Sequence, residues 1–117
     1  MTMARRLLLD RAEAACSIPT SECAPDFLER VAMAANAYAQ AAAIARASAA
    51  ANRTVGAGMR AAATHARAAL RACTKYRNVI LAREMYNSAC VVARDTRKRH
   101  PDVFERISRL VGATIPL

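Results

Sequence analysis

Sixteen arginines and two lysines carry most of the chemistry available to this sequence, and they are unevenly placed. After Glu29 no carboxylate occurs until Glu84, while Arg30, Arg46, Arg53, Arg60, Arg67, Arg71, Lys75, Arg77 and Arg83 fall in between. Arg46, Arg53, Arg60 and Arg67 are spaced by seven. On a helix, Arg60, Thr64, Arg67, Arg71 and Lys75 lie within about 60° of one another. A guanidinium is a planar fork of donors that matches phosphate or carboxylate oxygens, so such a row suits an anionic ligand. The same pattern also describes the solvated face of an amphipathic helix. Arg46, Arg53, Arg60, Arg67, Arg71 and Lys75 are the candidate anion- or partner-binding residues. A second basic run, Arg94 to His100, has the composition of a helix C-terminus, where cations complement the dipole.

Other chemistry is thinly represented. There is no G-x-S-x-G, no glycine-rich phosphate loop and no H-E-x-x-H. Cys73 and His65 are eight residues apart, more than two helical turns, which puts a thiol–imidazole pair out of reach on one helix. No two of Cys16, Cys23, Cys73 and Cys90 have C-x-x-C spacing, and neither His65 nor His100 clusters with them. Buried reduced thiols, no metal, no cofactor and no catalytic residues are the expectation.

The bulk composition sets what must position these groups. The chain has 117 residues, a formal charge of +9 and 55% hydrophobic residues, of which 30 are alanine, with only 4% aromatic residues and no tryptophan. That length fits one domain over residues 1–117. Burying a methyl rewards folding far less than burying a large side chain, so an alanine-rich core is thin unless helices approach closely or a partner adds surface. The longest charge-free run, residues 31–45, is shorter than the roughly 20 apolar residues a membrane span needs, and it contains Asn36 and Gln40. No secretory pattern is visible. An intracellular, reducing compartment is expected, with a mitochondrial address as the alternative, because the start is rich in Arg and Leu.

Proline and glycine divide the chain, and strong helix formers fill the intervals, which predicts an all-α fold. Helices are expected at about 3–16, 25–52, 58–99 and 101–112, followed by an apolar tail at 113–117. Pro25 suits a first helical position, with Asp26 and Glu29 in the first turn. Thr54 is the expected N-cap of the third helix, and Gly56 with Gly58 the flexible connection before it. In the 58–99 segment the apolar stripe drifts past Ile80, so a bend near 74–78, or two helices in near-continuity, is expected. Phe27, Val31, Tyr38, Ala45, Tyr76 and Ile80 are the expected packing residues. The architecture these readings imply is an antiparallel hairpin of long helices, with short N- and C-terminal helices packed on it as a small helical bundle.

Two functions fit. The first is a non-enzymatic, basic accessory subunit or adaptor that packs into a larger protein assembly, or on itself, through alanine-rich faces and the arginine stripe. The second is a protein that binds the backbone of RNA or DNA without reading its sequence.

Overall fold

The computed structural model describes residues 25–46 and 50–117, and the helix expected at 3–16 lies outside them, as do Cys16 and Cys23. Among the described residues the fold is all-α. Its helices are α1 (Pro25–Arg46), α2 (Ala50–Thr74), α3 (Val79–Arg99) and α4 (Pro101–Leu110). Helix α2 is central: α1 and α3 run antiparallel to it on either side, and α4 and the tail pack onto the group. No helix among the described residues is long and apolar enough to cross a membrane.

Two boundaries differ from the sequence reading. Residues 50–52 belong to α2, not to the preceding helix, and Thr54, Gly56 and Gly58 lie within α2 instead of capping or preceding a helix. A glycine inside a helix costs about 1 kcal/mol relative to alanine. What offsets it here is close approach. An added Cβ on Gly56 would stand 3.1 Å from the Ala45 Cβ, and one on Gly58 would overlap the Thr96 hydroxyl. Both glycines are seam residues between helices.

The 58–99 segment divides into two helices, with the break at residues 75–78. Arg77 takes a left-handed φ of 49° there. Asn78 caps α3 by accepting a 3.0 Å hydrogen bond from the Leu81 N–H on its side-chain oxygen. Because α2 stops at Thr74, Tyr76 falls in the turn and is 60% exposed, so it is not a packing residue. Ile80 is half-buried, whereas Phe27, Val31, Tyr38 and Ala45 are buried.

Of the 26 buried apolar residues described, 14 are alanine. At about 0.8 kcal/mol per methyl against about 2 for a larger side chain, they stabilise the fold about as much as five or six larger residues would. Their greater contribution is to let the helix backbones approach. Most of the larger side chains sit in two groups. Tyr38, Val55, Met59, Phe104, Ile107, Val111 and Ile115 share one core, and Phe27 and Val31 form a smaller one with Ala69, Ala72, Cys73 and Ala82. Tyr86 packs against both and meets the Phe27 ring edge-on, with centroids 6.0 Å apart. Cys73 and Cys90 are buried and not bonded to one another.

The apolar tail finds a docking place. Ile115 is buried, the Gly112 N–H donates to Gln40 Oε1 at 3.2 Å, and the Tyr38 hydroxyl donates to the Pro116 carbonyl at 2.7 Å. That hydroxyl also lies 3.8 Å from Cys90 Sγ, so Tyr38 joins α1, α3 and the tail.

Candidate anion-binding face

Helix α2 buries most of its circumference between α1 and α3, and what remains exposed is a narrow stripe. The stripe reads Arg53, Thr54, Ala57, Arg60, Thr64, Arg67, Arg71 and Thr74. Apart from the adjacent Arg53 and Thr54, these residues recur every three or four positions, which on a helix makes one line. From Arg53 to Arg71 it extends about 27 Å, at 1.5 Å per residue. Two of its threonines turn their hydroxyls to the helix: Thr64 Oγ1 donates to the Arg60 carbonyl at 3.0 Å and Thr74 Oγ1 to the Leu70 carbonyl at 2.9 Å. The arginines and the Thr54 hydroxyl are the groups left to bind anything.

None of Arg53, Arg60, Arg67 and Arg71 forms an ion pair with another described residue; the ion pairs found there are Asp95–Arg99 and Glu105–Arg109, each exposed and one turn apart. Lys75, expected to extend the stripe, stands in the turn after α2 with its Nζ 5.6 Å from the Tyr76 ring centroid. Arg83 is taken up over the Phe27 ring at 5.6 Å.

Arg46 does not continue the seven-residue spacing along one helix, because it ends α1. The antiparallel return nevertheless brings it beside α2. Arg46, Arg60 and Arg67 line a cleft of about 200 Å³ floored by Ala39, Ala42 and Ala63. Its depth depends on the small residues of the seam, and the Arg60 guanidinium lies over Gly56, 3.7 Å from where a Cβ would stand. Sequence reasoning found all three arginines and missed the cleft. The readable signal was the set of small residues at 39, 42, 56 and 63, which only an antiparallel α1–α2 pairing places face to face.

The basic run at the end of α3 is differently composed. Arg94, Arg97 and Lys98 border a wider hollow of about 620 Å³, together with Val91, Pro101 and Asp95, whose carboxylate pairs with Arg99 at 3.2 Å. A carboxylate and a helix C-terminus both occupy this region, so its cations are partly compensated. In the α1–α2 cleft Arg46 also ends its helix, but no described carboxylate pairs with Arg46, Arg60 or Arg67. His65 and Cys73 lie on one helix about 12 Å apart, and no group of three His, Cys, Asp or Glu side chains among the described residues could hold a metal ion.

No protein-family model matches this chain, and neither the curated proteins nor the solved structures compared with it gave a match.

Proposed function

We propose that the protein is a non-enzymatic, basic helical binding module whose α2 face holds the phosphate backbone of a nucleic acid without reading its bases. The observation that carries this reading is the composition of the exposed stripe: arginine, threonine and alanine alone, with no carboxylate, over about 27 Å. Three alternatives are disfavoured by what the stripe lacks. A protein interface normally centres on an apolar or aromatic anchor, and none stands in the line. Base reading on single strands needs several stacking aromatics, and with Tyr38 and Tyr86 turned into the core only Tyr76, in the turn beyond α2, is an exposed tyrosine among the described residues. Reactions need a nucleophile, base or metal, and the stripe offers none.

The adaptor reading has its own support in the exposed Met33, Leu110 and Leu117, which a protein partner could cover. The alanine-rich faces do not add to that support. They are spent on packing α1, α2 and α3 together.

The test is fluorescence anisotropy of a labelled 30-nucleotide oligouridine RNA and a 30-base-pair DNA duplex, titrated from 50 to 300 mM salt. Affinity should fall log-linearly with salt, and converting Arg60, Arg67 and Arg71 together to alanine should flatten the slope by about 2 to 3, close to one counterion per lost contact. Binding that is absent at low salt, or indifferent to salt, refutes the reading and leaves the adaptor.

A further inference from the structure

We propose that the cleft between α1 and α2 is a seat for a single phosphoryl group, gripped by Arg46, Arg60 and Arg67. This deepens the nucleic-acid reading and rests on it for the source of the phosphate. The seat itself can be tested separately.

Three observations converge. Side chains from two helices line one small cavity, and among the described residues all three that carry charge are guanidinium groups. Like charges gathered around a shared space repel, and an anion between them converts that repulsion into attraction. Next, the floor is methyl groups, of which Ala42 and Ala63 are buried, so one side of the site excludes water. Charge-assisted hydrogen bonds gain strength when their surroundings are less polar. Finally, the volume of about 200 Å³ equals that of about seven waters, which is room for a phosphoryl group and part of its hydration shell.

Arg46 is what separates this seat from a diffuse basic surface. It stands on α1, outside the α2 stripe, and a general attraction to the stripe gives it no privileged part. A convergent seat makes it equal to Arg60 and Arg67. Within that seat a phosphodiester of a bound strand would be fixed at one point, while Arg53 and Arg71 steer its flanks.

Inorganic phosphate is titrated into the full chain at low ionic strength, and the Nε–Hε resonances of the arginines are followed by NMR. Arg46, Arg60 and Arg67 should shift together with one dissociation constant, while Arg53, Arg71 and Arg97 stay nearly still. Arg46→Gln should weaken phosphate binding at least about tenfold, as expected for loss of a charge-assisted fork, and Arg46→Lys should fall between. Arg53→Gln, which makes the same change in net charge, should weaken it less than about twofold, the size of a screened surface effect. Parallel shifts of all the arginines, or an unmoved Arg46, overturn the seat.

A second arm uses the oligouridine RNA. If the RNA binds and Arg46→Gln is no more harmful than Arg53→Gln, the seat is wrong and the nucleic-acid reading survives. If phosphate saturates the three arginines and the RNA does not bind, the seat stands for free phosphate and the nucleic-acid reading fails.

Discussion

Two seams run along α2, both closed by glycine and alanine, yet they meet solvent differently. On the α3 side Gly58 lies directly under Thr96, a buried residue whose hydroxyl donates to the Val92 carbonyl at 2.8 Å. On the α1 side Gly56 faces the Ala45 methyl, the Arg60 guanidinium and the Ala42 carbonyl, and the seam opens outward into the arginine cleft. Small residues allow helices to touch in both places. What differs is the neighbour: a buried threonine fills the first gap, and exposed arginines border the second. Close packing and a binding cleft are thus two results of one device.

The largest effect that could break this comparison is Gly58→Ala. The added methyl meets Thr96 at overlapping distance, and overpacking of a closed seam costs about 1–3 kcal/mol, more than the roughly 1 kcal/mol of helix propensity that alanine returns. Urea unfolding should show a net loss of up to about 2 kcal/mol. Thr96→Ala in the same chain should recover part of that loss, as a favourable coupling of about 1 kcal/mol. Equal losses for the double and single variants would mean that the seam is not where the methyl acts.

Tyr38→Phe comes next, because the hydroxyl joins the α1 side of the bundle to the tail. Loss of its bond to the Pro116 carbonyl should cost about 1 kcal/mol. Burial, and after it the neighbouring Cys90, holds this hydroxyl far above the ordinary phenol value of about 10. The sign follows from linkage. Below about pH 10 both states keep the proton and the contribution is complete; above it the unfolded phenol ionises first and stability falls as pH rises. Phenylalanine removes that share of the alkaline loss. Tyr86, also raised by burial, keeps its own share in the variant. Melts at pH 8 and 10.5 that lose stability equally with and without the hydroxyl would contradict the assignment.

Gly56→Ala is the sharpening experiment. The new methyl is tight against Ala45 at 3.1 Å but can ease toward the open side, so helix propensity and crowding should nearly cancel. Stability within about 0.5 kcal/mol of the parent is expected. A loss as large as that of Gly58→Ala would erase the difference between the seams. The smallest effect belongs to Arg46→Gln, whose thermal unfolding should stay within about 0.5 kcal/mol of the parent, shifting slightly upward at low salt as like charges are relieved.

Much of this was legible in the residues. Pro25 and Pro101 open their helices as their fixed φ and missing N–H dictate, and the drift of the apolar stripe near Ile80 marks a real break. The glycines misled because their usual role is punctuation, whereas Gly56 and Gly58 serve a contact made with residues on other helices. No local signal reveals such a contact. Tyr76 misled for a related reason: its place on a helical stripe assumed two more residues of helix, and α2 ends at Thr74. For Arg46 the seven-residue spacing was a coincidence of position along the chain. Its proximity to Arg60 comes from the reversal between α1 and α2, a tertiary fact.

The hydrogen bond from Tyr38 to Pro116 spans 78 residues of chain, whereas the most extensive helix pairings, α1 with α2 and α2 with α3, join sequence neighbours. Contacts that close short loops form early, and one this distant must wait for the helices that frame it. The tail therefore acts in time as well as in space. If it docks last and detaches first, Tyr38→Phe should quicken unfolding and leave the folding rate almost unchanged, visible as a shift in only the unfolding arm of a denaturant chevron.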